Sequence, residues 1–183
     1  MLLEEPQIRR WAKEEYHQAA ELGWFDRQRV EFLDGEVIEK APQRDAHAYA
    51  LRLAASALQQ RYGASHTILI QMPLNLGPES EPGPDGAVVK GALRDVRQHP
   101  TGAELVVEIS DTTLGFDRSR KATLYGRHRI GEYWIVNLVD RQIEVYRRGS
   151  VDRFDPPQIY RAGPIASSIL PGPAIDVADL LPD

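Results

Sequence analysis

Apolar residues recur every three to four positions in three segments of the chain, and this spacing predicts helices. The first segment is residues 7–22, where Gly23 is a plausible stop. The second is residues 44–62, with apolar side chains on one line of the predicted helix. The third runs from about Phe116 to Ile130, and Gly131 ends it.

Other segments carry apolar residues in alternation or in short runs, which predicts strands. Residues 29–40 (RVEFLDGEVIEK) predict a β-hairpin, because Asp34-Gly35 supplies the positive φ angles of a tight turn. Further strands are predicted at residues 66–76, within PGPDGAVV, at 103–110, in EYWIVN and QIEVYRR, and in the tail before a helical turn at DVADLL. This order predicts an α/β fold, with a sheet between helices, in a single domain over residues 1–183.

Two acidic residues interrupt runs that read as buried strands. Asp85 precedes the apolar run of PDGAVV, and Glu108 lies inside LVVEIS. A turn residue explains the first and an outward-facing edge residue explains the second, but LVVEIS is apolar on both faces, as in a central strand. A buried carboxylate must be paired, protonated or bound to a metal. Together, the two acids predict oxygen ligands for a hard cation such as Mg²⁺.

The third predicted helix presents a lysine to the same region. Asp117, Lys121 and Tyr125 follow one another at intervals of four, so they share one face of the helix. That face can present Lys121 to a site at the end of the Glu108 strand, and a surface ion pair with Asp117 is the alternative. For Asp117 we favour a surface ion pair with Lys121, or compensation of charge at the helix N-terminus. His47 continues the apolar line of the second helix, so it faces inward, as a core histidine bonded to a carbonyl or as a catalytic base.

Composition limits the classes of function. The 183 residues, 42% hydrophobic and 27% charged, are ordinary for a soluble globular domain, and no apolar run reaches the roughly 18 residues of a membrane span. The absence of cysteine excludes a disulfide framework, a thiolate zinc site and a cysteine nucleophile. The N-terminus carries acids and no apolar signal core, so a cytoplasmic location is the simplest expectation. The net charge of −5 argues mildly against a nucleic-acid coat protein and leaves a nuclease open.

The motifs VEFLDGEVIE, PDGAVV, LVVEISDTT and FDRSRKATLYGRHRIGEYWIVN resemble, in order and spacing, those of the Uma-two (Uma2) family of restriction-type endonucleases. That family belongs to the PD-(D/E)XK nuclease superfamily, and the resemblance runs from about residue 10 to about residue 180. It implies a restriction-endonuclease-like core, in which a mixed central sheet is flanked by helices, with an N-terminal helix and hairpin. It also implies a metal site where the central strands splay apart.

The resemblance assigns roles to several residues. Asp85 corresponds to the acid of the PD element and Glu108 to the second acid, and with the backbone carbonyl of Ile109 they would hold one or two Mg²⁺ or Mn²⁺ ions. The superfamily usually has a lysine two residues after the second acid, where this chain has Ser110. Lys121 on the following helix is the natural replacement.

The hairpin and the basic helix supply further candidates. The superfamily often recruits an extra acid from the N-terminal side, for which Glu31 is the first choice and Glu36 the second; both are otherwise solvent-facing hairpin residues. Arg118 and Arg120 belong to a basic cluster that is either a solvated helix face or a track for the nucleic-acid backbone.

The resulting hypothesis is a metal-dependent nuclease that hydrolyses phosphodiester bonds, with DNA as the expected substrate and RNA left open. Nucleases that cut both strands often act as two-fold dimers, so a homodimer is an expectation by analogy. A catalytically inactive nucleic-acid-binding or accessory module is the main alternative. A third candidate is a phosphohydrolase of small substrates, which a pocket too closed for a duplex would favour.

Overall fold

The computed structural model describes residues 8–149 and 152–182. In its N-terminal part, a β-hairpin lies between two helices along the chain. The elements are α1 (Lys13–Glu21), β1 (Val30–Leu33), β2 (Glu36–Glu39) and the long helix α2 (Asp45–Tyr62). Asp34 and Gly35 have φ angles of 52° and 74°, which confirms the predicted Asp-Gly turn. The hairpin is a separate two-stranded sheet, and backbone hydrogen bonds of Phe32 and Gly35 attach it to residues 79–81.

A six-stranded mixed sheet forms the centre of the fold. Its strands are β3 (His66–Ile70), β4 (Gly86–Lys90), β5 (Leu105–Ser110), β6 (Glu132–Asn137), β7 (Gln142–Arg147) and β8 (Gln158–Tyr160), and they lie in this order across the sheet. β5 runs parallel to β6, and every other neighbouring pair is antiparallel. All six residues of β5 are buried, as the sequence predicts for a central strand.

A helical segment connects the parallel strands β5 and β6, since parallel neighbours require a crossover. It consists of α3 (Leu114–Phe116), a π-helical turn (Asp117–Lys121) and α4 (Ala122–Arg127), without interruption between them. The prediction of one helix over about 116–130 is therefore close, but it did not include the π turn. Such turns are wider than α-helix and occur frequently at functional sites.

The C-terminal tail adds short elements to one face of the sheet. β9 (Pro164–Ile165) pairs with β10 (Ile175–Asp176), and a 3-10 helix (Val177–Asp179) follows, as expected from DVADLL. Within the described ranges, the structure contains no helix with the length and apolar character that a membrane crossing requires.

Alternate residues of β5 belong to two different hydrophobic clusters, one on each face of the sheet. Leu105, Val107 and Ile109 pack with α2 and the C-terminal tail. Val106 packs on the opposite face, with residues of the hairpin and of α4. Glu108 follows the same alternation, so its carboxylate points toward the hairpin and α4.

Two predicted boundaries differ from the structure. The strand predicted over 66–76 ends at Ile70, because Gln71 adopts a left-handed backbone conformation with φ 53°. The helix predicted over 7–22 begins at Lys13, and residue 7 lies outside the described residues. Residues 1–7, which contribute to the expectation of a cytoplasmic location, also lie outside them.

We predict that Gly35→Ala destabilises the protein by about 1–2 kcal/mol or more, because an L-residue with positive φ costs about that much. The new Cβ would also lie 2.7 Å from Cβ of Arg10. Gly102→Ala is the matched control, since a Cβ there meets nothing within 4 Å. Urea unfolding checks both variants, and equal stability of the two would contradict the turn geometry.

Candidate active site

A cleft with a volume of about 440 Å³ lies between the hairpin, the beginning of α2 and the segment that follows β5. Five ionisable side chains line it although each is at most 3% exposed: Glu31, Asp85, Glu108, Asp117 and Lys121. The structure thus brings together the four residues that the sequence singled out as catalytic. Glu31 is therefore not the solvent-facing hairpin residue that the sequence left as its alternative.

The sheet places Asp85 beside Glu108. Gly86 pairs with Val107 across the antiparallel strands β4 and β5, so the residue before Gly86 lies next to the residue after Val107. The backbone N–H of Asp85 donates to Oε2 of Glu108 over 3.4 Å. In return, the N–H of Ile109 donates to Oδ2 of Asp85 at 2.9 Å. The predicted role of the Ile109 carbonyl as a metal ligand stays a prediction.

Lys121 lies between two carboxylates. Its Nζ is 2.8 Å from Oε1 of Glu108 and 3.3 Å from Oε1 of Glu31. Tyr125, one turn further along, donates its hydroxyl to the same oxygen of Glu108 at 2.8 Å. Oε1 of Glu108 therefore accepts two short hydrogen bonds, whereas Oε2 accepts, from the residues that the structure describes, only the long one from Asp85. Tyr125 was recognised as sharing a face with Lys121, but this bond was not predicted.

The charges at the floor of the cleft shift one another's ionisation. Burial raises the pKa of Glu108, the Lys121 ammonium lowers it, and the Asp85 carboxylate raises it again. Together these effects bring the pKa of Glu108 to about 7. Burial alone would lower the pKa of Lys121, but Glu108, Glu31 and Asp117 raise it above its usual value. Lys121 therefore remains an ammonium, and Glu108 is the group at this floor that gains or loses a proton near neutral pH.

Asp85 behaves in the opposite way to Glu108. Burial alone would raise its pKa, but His47, Lys40 and the Ile109 N–H bring the pKa below its ordinary value, so Asp85 is ionised. His47 contacts this carboxylate, with Nε2 at 3.4 Å from Oδ2. It faces the site as expected, but its neighbour is a carboxylate and not a backbone carbonyl. Among the described residues, Nε2 of His47 is a buried atom without a hydrogen-bond partner.

Asp117 is not the surface residue that helical spacing favoured. It is 3% exposed, and Ser110 and Thr113 donate hydroxyl hydrogen bonds to its Oδ2 at 2.8 and 2.7 Å. Burial raises its pKa, against the effect of Lys121 and these two bonds. The error arises because the π turn and the loop after β5 bring Asp117 inward. Ser110 thus supports Asp117.

Three other candidates are engaged elsewhere. Glu36 pairs with Arg10 at 2.8 Å and with Arg120 at 2.7 Å, and it does not line the cleft. Arg118 is bound by the buried Glu144 at 2.6 Å and by Asp140 at 3.1 Å. Neither arginine of the basic cluster lines the cleft, so their predicted contact with a nucleic-acid backbone gains no support from their position.

Other residues of the site were not singled out by the sequence. The amide of Gln71 donates to Oδ1 of Asp85 at 3.1 Å, and its left-handed backbone is a strained conformation of the kind found at functional sites. Arg29, Lys40 and Arg44 line the cleft. No local pattern could have indicated them, since they reach the cleft through the hairpin ends and the start of α2.

The described residues contain no group of three or more His, Cys, Asp or Glu side chains arranged to hold a metal ion. Any cation would therefore rest on the pair Asp85 and Glu108, and the remaining ligands would come from other sources.

Comparisons with known proteins agree with this fold. A solved structure described as "a putative nuclease belonging to DUF820 from Anabaena variabilis ATCC 29413" superposes with a TM-score of 0.64. It shares 13% identity, and the match covers 82% of this chain and 88% of that chain. At this identity the likeness shows the fold, and it confirms the predicted fold class. No curated protein sequence matches the chain.

The family comparison covers most of the chain. The family model described as "Uma2: Putative restriction endonuclease" matches residues 13–178, which include the hairpin, the paired acids and the helix of Lys121. The resemblance to this family is therefore confirmed, and the family is described as one of nucleases. The chain belongs to the Uma2 family.

Proposed function

We propose that this protein is a metal-dependent nuclease that hydrolyses phosphodiester bonds of nucleic acid, with DNA as the first substrate to test. The observation that carries the proposal is the contact of Lys121 with Glu108 beside Asp85, at the floor of a cleft. Family membership supports a nuclease. The metal requirement and the DNA substrate are parts of the proposal.

The donor set of the site fits a divalent cation. Mg²⁺ is usually held by one or two protein carboxylates and completes its shell with water and substrate phosphate. Asp85 and Glu108 supply such a pair, and within the described residues Oε2 of Glu108 accepts only one long hydrogen bond. The raised pKa of Glu108 reflects the cost of two buried carboxylates side by side, which a cation would offset. When bound, Mg²⁺ or Mn²⁺ supplies a water of lowered pKa and charge for the phosphate oxygens.

The residues around this pair have separable tasks. Lys121 presents a permanent ammonium beside the ligands, where it can stabilise negative charge that develops on the phosphate. Glu31 contacts this ammonium from the hairpin and fixes its position. Tyr125 binds Oε1 of Glu108 and thereby fixes the direction of Oε2. Because the group is buried, these interactions are screened less by water than they would be at a surface.

His47 is a neighbour of Asp85, and among the described residues its Nε2 has no hydrogen-bond partner. Its Nε2 is buried and lies 3.4 Å from Oδ2 of Asp85, and His47 lines the cleft. The sequence left a catalytic base and a core histidine open, and the contact with Asp85 supports a role of His47 in the site.

We predict that Asp85→Ala and Glu108→Ala each lower the rate of nucleic-acid cleavage in Mg²⁺ or Mn²⁺ by about 100-fold or more, because each removes half of the carboxylate pair. Asp95→Ala, an exposed position outside this cleft, is the control and retains the rate. Gel assays of a labelled substrate measure the rates. Cleavage that survives both substitutions would remove this site from the mechanism, and salt-sensitive binding without cleavage by the unaltered protein would favour the inactive binding module.

We also predict a pH-dependent stability that Glu108 carries. Below pH 4.5, Glu108 is protonated in both the folded and the unfolded chain. Between pH 4.5 and about 7, the folded chain keeps a proton that the unfolded chain releases, so rising pH lowers the free energy of unfolding. The shift corresponds to about 3 kcal/mol, at about 1.4 kcal/mol per pKa unit.

Urea unfolding in EDTA at pH 4.5, 6 and 8 measures this effect in the unaltered protein and in Glu108→Gln. The variant lacks the titrating group, so its stability relative to the unaltered protein should improve steadily as the pH rises. A difference between the two proteins that stays constant over this range would show that Glu108 does not titrate there.

A further inference from the structure

The depth of the site restricts the substrate that can reach it, if the proposed nuclease function holds. Asp85 and Glu108 are 3% and 2% exposed, so a scissile phosphate must enter the cleft to meet them. The cleft volume of about 440 Å³ lies in the range of pockets that enclose a ligand of drug size. A duplex carries two paired strands, and its persistence length of about 50 nm prevents it from bending sharply into such a space. A single strand is thinner and flexible.

The cations at the cleft come from the open end of the hairpin and from the start of α2. Arg29 precedes β1 and Lys40 follows β2, and the N–H of Lys40 donates to the carbonyl of Arg29 at 2.6 Å, so the two residues are neighbours. The side-chain ammonium of Lys40 donates to the carbonyl of Gly83 at 2.7 Å. Gly83 lies two residues before Asp85 in the chain. Arg44 caps the beginning of α2. The three line one cleft together with the carboxylate pair.

Two of these cations retain guanidinium groups for a ligand. Within the described residues, the side chain of Arg29 makes no hydrogen bond or ion pair, and Arg29 is exposed. Arg44 has a side chain that is 72% exposed, and its nearest acid is Asp111 at 3.9 Å. In contrast, Arg118 and Arg120 are already paired with Glu144 and Glu36. The phosphate contacts expected from the basic helix therefore fit better at the hairpin side.

The same walls carry apolar surface. Ile38, Pro42 and the half-buried ring of Phe116 line the same cleft. Cationic groups for the backbone together with an aromatic face for bases are the combination that proteins use to bind unpaired nucleotides. Glu39 and Asp111 at the same cleft moderate the positive charge.

We propose that the cleft takes a single nucleic-acid strand, whose backbone phosphates contact Arg29, Lys40 and Arg44, and that it excludes an intact duplex. This inference rests on the proposed nuclease function and adds the class of its substrate. The small-substrate phosphohydrolase, which a closed pocket also fits, becomes an outcome of the test.

The first experiment compares one fluorescein-labelled DNA oligonucleotide of 20 nucleotides, alone and annealed as a blunt duplex. Cleavage in Mn²⁺ is measured for the unaltered protein and for Asp85→Ala. We expect the single strand to be cut at least about tenfold faster than the duplex, and this activity to depend on Asp85. An Asp85-dependent rate on the duplex equal to that on the single strand overturns the inference and leaves the nuclease function standing.

The second experiment measures binding of the same two oligonucleotides in EDTA, by fluorescence anisotropy at NaCl concentrations from 50 to 200 mM. Each phosphate contact to a single strand contributes about 0.7 to the slope of log K against log salt concentration. Arg29→Ala/Arg44→Ala should therefore lower the steepness of this slope by about 1.4. Arg94→Ala/Arg97→Ala removes the same charge from exposed positions outside this cleft and should leave the slope unchanged.

The remaining outcomes separate the two proposals. An equal change of slope in both double variants shows general charge attraction and overturns the contacts assigned to Arg29 and Arg44. Absence of Asp85-dependent cleavage of either DNA form and of a single-stranded RNA of the same sequence overturns the nuclease function, and the inference with it. Asp85-dependent hydrolysis of a dinucleotide, with neither oligonucleotide cut, would assign the cleft to small phosphate esters.

Discussion

The contact of the Lys121 ammonium with Glu108 and Glu31 is the interaction on which the rest of the site depends. Burial of three ionisable groups is costly unless their charges are paired, and removal of one partner from such a group typically costs several kcal/mol. Lys121 meets both carboxylates within 3.3 Å. It thereby joins the hairpin, the central strand β5 and the π turn, three elements that no common sheet connects.

Hydrogen bonds at the beginning of the π turn hold Lys121 in that position. Asp117, at the first position of the π turn, is bound by hydroxyls of Ser110 and Thr113 from the end of β5. Arg118, the next residue, is bound by the buried Glu144 of β7. The π turn is thus attached to two strands of the sheet at its beginning, and Lys121 lies at its end. Arg118, which the sequence analysis placed in a basic surface cluster, therefore helps to hold the site in position.

Residues whose signal is local could be predicted from the sequence, and residues whose position depends on distant segments could not. Asp85 and Glu108 interrupt apolar runs, and a buried acid requires a partner, so their environment follows from their neighbours along the chain. Asp117 was misplaced because helical spacing does not register a π turn. Gln71 and Arg44 reach the site through a left-handed residue and a helix start, and no periodicity encodes where those points lie in space.

The order of these residues along the chain has a consequence for synthesis. Glu31, Asp85 and Glu108 all precede Lys121, and Glu31 precedes it by about half the length of the chain. During translation, at about 5–20 residues per second, the acids emerge seconds before the cation that allows two of them to be buried. The face of the sheet that carries the site therefore cannot close before Lys121 has emerged, and the opposite face is completed later still, because it packs on the C-terminal tail as well as on α2.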